Sequence, residues 1–100
     1  MNRESAPETF DEAVGRVASE IAELLISKRC DYGSASVLNA PFGAESFLLT
    51  QAYNKVARLM HLIQNGKTPQ NEPIADSWRD LAGYSMLALM HSRGWFALPV

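Results

Sequence analysis

The chain has one cysteine, no strong excess of either charge and no long uninterrupted hydrophobic run, and each shortage removes a class of protein. Cys30 alone forbids an intrachain disulfide and rules out a zinc site built from cysteines of one chain. Nine Lys and Arg against eleven Asp and Glu leave a formal charge of −2. Neutralising a nucleic-acid backbone needs clustered basic side chains, so a binder of bulk nucleic acid is excluded. A nucleotide partner would have to be small and held by a local site. The most apolar stretch, Leu81 to Val100, is broken by His91, Arg93, Gly94 and Pro99 and is too interrupted to span a bilayer. Met1 to Glu8 is polar and lacks the apolar segment of a signal peptide. The expected setting is therefore the cytoplasm, with no membrane partner.

What is present is ordinary for a globular chain: 47% hydrophobic and 20% charged residues over 100 positions. That length suits one domain with one core. Residues 1–8 read as a disordered lead-in and residues 9–100 as a single helical domain. Thr9 with Glu12 forms a capping box. Phe10, Val14, Val17, Ile21, Leu24 and Leu25 then recur at helical spacing until Gly33. Asp31 to Gly43 carries Gly33, Pro41 and Gly43 and has no helical period; a loop this long in a small domain is more often functional than decorative. A second helix is expected from Ala44 to about Asn65, with Leu48, Ala52, Val56, Leu59 and Ile63 as its core stripe and Gly66 beyond its end. A third runs from Pro73 to Arg93. The fold class is all-α: a small bundle of three main helices with a long functional loop after the first.

Chemistry-bearing residues gather on those elements. Glu72, Asp76 and Asp80 follow at four-residue steps, so they share one face of the third helix, with Tyr84 a turn further on. Like charges at this spacing repel, and the stripe calls for a cation: Mg²⁺, or basic side chains of a neighbouring helix. Mg²⁺ is commonly held by one or two carboxylates together with phosphate oxygens and water. Lys55 and Arg58, three apart on the second helix, can hold a phosphate or pair with Asp76 and Asp80. Glu20 and Glu23 form an ExxE pair whose value depends on whether it faces the acidic stripe; otherwise it is a solvated helix face. Lys28, Asp31, Tyr32 and Gly33 close the first helix, offering a ring for stacking and room for backbone approach. Asn39 can read a base edge or stabilise a turn.

In order along the chain, Lys28-x-x-Asp31-Tyr32-Gly33, Asn39, Phe42-Gly43, Asn54-Lys55-x-x-Arg58-Leu59, Gly66 and Asn71-Glu72-x-x-x-Asp76-x-x-x-Asp80-Leu81-Ala82-Gly83-Tyr84 resemble a small phage and bacterial domain family named for its association with nucleotide modification. The resemblance covers about residues 20–95. A looser similarity links the chain to the all-α MazG-type nucleotide pyrophosphohydrolases, whose acidic helix pairs bind Mg²⁺ around a nucleoside triphosphate. Glu20 and Glu23 match the ExxE half of that pattern, whereas the second half here is DxxxD rather than ExxD.

The resemblance implies a phage-encoded nucleotide-binding domain of the host cytoplasm. Tyr32 and Asn39 would contact the base, and Lys28, Lys55 and Arg58 the phosphate; Glu72, Asp76 and Asp80 would hold Mg²⁺ or orient those cations. As an enzyme it would be a Mg²⁺-dependent pyrophosphohydrolase. Two rivals stand beside this reading. One is a non-catalytic sponge that sequesters a nucleotide signal of host antiphage defence. The other is an interaction module whose charges are interhelical salt bridges. The crowding of Leu87, Leu89, Met90, Trp95, Phe96 and Leu98 near the end leads to an expected homo-oligomer, most simply a two-fold dimer, with the third helix and the tail at its interface.

Overall fold

The computed structural model describes residues 5–100, so the first half of the lead-in lies outside the described residues. It is all-α: α1 (Phe10–Tyr32), a one-turn α2 (Ala35–Leu38), α3 (Ala44–Gln64) and α4 (Ile74–Ser92). No strand occurs among the described residues. Local chemistry explains the boundaries. Thr9 Oγ1 accepts the Glu12 amide at 3.1 Å, and the Glu12 carboxylate in turn accepts the Glu8 amide at 2.8 Å. The first bond satisfies an amide that the opening helical turn leaves without a partner, whereas the second ties down the residue before the cap instead of closing the expected capping box on the Thr9 amide. At the other end Gly33 takes φ +68°, a left-handed conformation that glycine adopts without Cβ strain, and its amide closes on the Arg29 carbonyl. Pro73 is the N-cap rather than the first residue of α4.

The connection between α1 and α3 is more ordered than its composition suggests. Ala35–Leu38 forms a short helix there, because the run ASVL carries no Gly or Pro and the Asn39 amide can close back on the Ala35 carbonyl. Beyond it, Phe42 stands at φ +68° with its ring 95% exposed. A bulky residue in that region costs about 1–2 kcal/mol.

Packing is unequal. Helices α3 and α4 form the tight pair, while α1 rests on α4 through far fewer approaches. The α3–α4 pair is antiparallel, since Lys55 meets Asp80 while Arg58 meets Ser77. The buried set is Ala44, Leu48, Leu59 and Leu62 of α3, Ser77 and Gly83 of α4, and Phe96 of the tail. The expected α3 stripe is thereby corrected: Leu48 and Leu59 are core, but Val56 and Ile63 face solvent and Leu62 takes the inner position. Helix α1 buries no residue completely, and Phe10 (81% exposed), Val14 and Val17 lie open. Its apolar periodicity is present, yet nothing among the described residues covers the N-terminal half. Phe96, expected at a subunit interface, is core, and its carbonyl accepts Arg29 Nη1 at 2.8 Å. Where α1 does meet α4, Gly83 makes the approach possible: a Cβ there would stand 3.0 Å from Leu25 Cδ2.

The contrast between the helices sets an expected outcome. Leu48→Ala removes a fully buried side chain from the α3–α4 seam and should cost about 2–5 kcal/mol. Val17→Ala on the open half of α1 should change the stability of the isolated chain by less than about 0.5 kcal/mol. Urea unfolding of the two variants, followed by far-UV circular dichroism, measures both.

Candidate functional site

Asp80 joins three helices. Its Oδ1 receives Lys28 Nζ of α1 at 3.1 Å and its Oδ2 receives Lys55 Nζ of α3 at 3.0 Å, with the Asp80 side chain only 14% exposed. Burial alone would push the Asp80 carboxyl up, but the hydrogen bonds from Lys55 and Lys28 outweigh it and hold the group below the usual carboxylate range. Lys55 is raised in turn, first by its hydrogen bond to Asp80 and against the opposing effect of its own burial. One helical turn earlier, Asp76 accepts Arg79 Nη1 at 2.9 Å. Arg79 Nε also pairs with Glu20 of α1, so Arg79 ties the two helices together. These contacts raise the Arg79 guanidinium further, chiefly through its hydrogen bond to Glu20.

These side chains surround a polar groove of about 520 Å³ lined by Glu20, Glu23, Leu24, Lys28, Glu72, Asp76, Arg79 and Asp80. The ExxE pair of α1 therefore does face the acidic stripe of α4. Beside it lies a larger, mainly apolar cavity of about 700 Å³, walled by Leu25, Phe47, Leu87 and Phe96 and carrying Tyr32, Gly33 and Tyr84. The two share Leu24, Lys28, Arg79 and Asp80, so a charged wall separates an apolar space from an acidic one. The apolar space exists because α1 stands off from the α3–α4 pair along part of its length.

Five sequence-predicted residues reach the apolar cavity: Lys28, Tyr32, Gly33, Asp80 and Tyr84. Glu72, Asp76 and Asp80 reach the acidic groove. Asp31 and Asn39 are exposed and line neither space; Asn39 is the C-cap of α2. Lys55 meets the site only through Asp80. Arg58 turns away from both carboxylates. Its Nη1 donates to Ser77 Oγ at 2.7 Å and its Nη2 to the Glu72 carbonyl at 2.5 Å. Ser77 is fully buried, so Arg58 supplies a hydrogen bond that water cannot. Arg79 is the residue that sequence reasoning missed. The signal was its place three residues after Asp76 and beside Asp80, where a cation on an acidic stripe has an immediate partner.

The donor chemistry bears on Mg²⁺. Five carboxylates line the acidic groove, but Asp80 is held by two lysines and Asp76 and Glu20 by Arg79. Among the described residues no group of three or more His, Cys, Asp or Glu is close enough to hold a metal by itself. Oxygen donors of this kind fit an ion that takes one or two carboxylates and completes its shell with phosphate oxygens and water.

Two outcomes are expected. Arg58→Ala leaves the buried Ser77 hydroxyl and the Glu72 carbonyl without their donor and should destabilise the chain by about 1–3 kcal/mol in a thermal or urea melt. Asp80 titrates lower when folded than at its unfolded value of ~3.9. Its contribution is thus complete above that value and is lost as pH falls through the folded one. Lys55 behaves inversely, contributing fully below its unfolded value of ~10.4 and losing that contribution as pH rises through its folded one. Asp80→Asn should flatten the melting-temperature profile at both ends relative to the parent; an unchanged difference across pH would deny Asp80 its role as the charged junction.

Comparison with known protein families, with curated proteins and with solved structures gives no match to this chain, so its functional reading rests on the chemistry of these two adjoining spaces.

Proposed function

We propose that the chain is a nucleotide-binding domain that holds or acts on a nucleotide, or a small molecule derived from one, together with Mg²⁺. The observation that carries this reading is the charged wall of Lys28, Arg79 and Asp80 between an apolar cavity and a carboxylate-lined groove. A nucleotide has the same division: a flat, largely apolar base and an anionic phosphate that recruits a divalent cation. Pockets of this size, mostly apolar with a few placed polar groups, are typical of small-molecule sites. The base would enter beside Tyr32 and Tyr84, whose rings offer stacking surfaces. The phosphate would meet Lys28 and Arg79, the second of which can grip it with two parallel bonds. One or two of Glu20, Glu23, Glu72 and Asp76 would provide the carboxylates for Mg²⁺, which when bound polarises phosphoryl oxygens. Arg79 has to exchange Glu20 and Asp76 for the phosphate, and that exchange frees those carboxylates as the anion arrives.

One observation favours a binder without turnover. Asp80 keeps Lys55 even when Lys28 and Arg79 turn to a phosphate, so the most enclosed carboxylate of the site is not poised as a free base for an attacking water. Such a site suits sequestration of a nucleotide signal, as a sponge directed at host defence would require.

Thermal melts with nucleoside mono-, di- and triphosphates and cyclic dinucleotides, with and without Mg²⁺, test the reading. A ligand of the folded state raises the melting temperature according to its concentration over Kd. Lys28→Ala should weaken the effective ligand by about 1.5–3 kcal/mol, the scale of a lost charge-assisted bond. Phosphate or pyrophosphate release in the same mixtures separates an enzyme from a sponge. If no nucleotide shifts the melt, the charges are interhelical bridges and the chain is an interaction module.

A further inference from the structure

Helix α3 carries a second apolar stripe that the described residues leave uncovered. Leu49 (71% exposed), Tyr53 (67% exposed), Val56, Met60 and Ile63 all face solvent. Their steps along the helix are four, three, four and three. That is the seven-residue repeat with which one helix presents a straight seam to another. The seam is turned about a third of a turn from the inner stripe of Ala44, Leu48, Leu59 and Leu62, as 3.6 residues per turn requires for these positions. Its flanks are Ser46, Thr50, Ala52, Ala57 and Gln64, none of them charged. The charged side chains of α3 that follow Glu45, namely Lys55 and Arg58, are directed to α4 by Asp80 and Ser77. A solvated helix face normally carries charge, so this face has the composition of one meant to be covered.

We propose that the outer face of α3 is a contact between two copies of this chain, with the two α3 helices antiparallel about a two-fold axis near Val56. Area supports a second copy as the occupant. The chain exposes 7536 Å², against about 5,600 Å² expected of a folded monomer of its mass, and the α3 seam carries part of that excess beside the open half of α1. Two such stripes brought together reach the ~1,000 Å² that a specific interface needs. Charge selects the orientation. With the axis near Val56, Glu45 at the start of one α3 lies beside Lys67 just past the end of the other, and symmetry repeats the pair at the opposite end. Parallel pairing would instead bring the two Glu45 side chains to one end and the two Lys67 side chains to the other. The tyrosine and methionine of the seam belong to residue types enriched in the centres of interfaces. The inference does not depend on what the groove between α1 and α4 binds, because Lys28, Arg79 and Asp80 lie on other faces.

Sedimentation equilibrium of the full chain from micromolar to about 100 µM, beside the Tyr53→Glu and Phe10→Glu variants, tests the contact. The parent should run at twice its 11.0 kDa or a larger even multiple. Tyr53→Glu, with helical circular dichroism unchanged because the position is exposed in the single chain, should run at no more than half the parent mass. Phe10→Glu, on the open half of α1, should leave the α3 contact in place and run at least at twice the chain mass. A parent at the mass of one chain overturns the proposal, and so does a Tyr53→Glu protein that keeps the parent mass. Orientation has its own arm: Glu45→Lys should weaken association several-fold, and adding Lys67→Glu should restore it. A double variant as weak as Glu45→Lys alone would overturn the antiparallel arrangement.

Discussion

One carboxylate determines how the three long helices meet. Asp80 lies mostly out of water, where a lone charge is costly, and it is tolerated because α1 and α3 each deliver a lysine to a different oxygen. Each ammonium keeps partial contact with solvent, so the arrangement avoids the full desolvation cost of a buried ion pair. The consequence is geometric. Lys28 and Lys55 can both reach Asp80 only if α1 and α3 pack on the same side of α4, which places the Glu20–Glu23 pair opposite the acidic stripe.

The second constraint is the inequality between hydrophobic and electrostatic attachment. Helices α3 and α4 are joined by a seam of leucines and by Arg58 reaching the buried Ser77. Helix α1 is joined by Leu25 against Gly83, by Arg29 to the Phe96 carbonyl and by the ion pairs of Lys28 and Glu20. Ion pairs near the surface contribute little to stability and exchange partners readily. An element held this way can shift without unfolding the remainder, which suits the wall of a binding site more than the centre of a core.

The same inequality connects the groove to its proposed ligand. Arg79 spans α1 and α4 in the free chain, and a phosphate offers it a better-matched partner than two separate carboxylates do. Binding there would exchange one cross-helix tie for another. The apolar cavity behind Tyr32 needs no rearrangement to be present, since the stand-off of α1 already opens it.

The sequence by itself determined the all-α class, the three long helices and most of their ends. Capping by Thr9 and Glu12, the glycine stop at residue 33 and the four-residue spacing of Glu72, Asp76 and Asp80 are local in the chain, and helix geometry converts them directly into structure. It also marked Lys28, Tyr32, Asp80 and Tyr84, which the fold brings to one cavity. Only the tertiary structure decided which partner each charge takes. Lys55 and Arg58 sit one turn apart, yet one meets Asp80 and the other Ser77, because the antiparallel register of α3 on α4 sets each against a different residue. Arg79 escaped notice for the same reason: its second partner, Glu20, is distant in sequence. Periodicity likewise showed that Phe10, Val14 and Val17 share a face, and that α3 is apolar along Leu48 and Leu59. It could not show what covers a face, since burial is a property of the neighbour. The three open residues of α1 and the outer seam of α3 follow from that: a repeat assigns side chains to one side of a helix, and only another surface decides whether that side is inside.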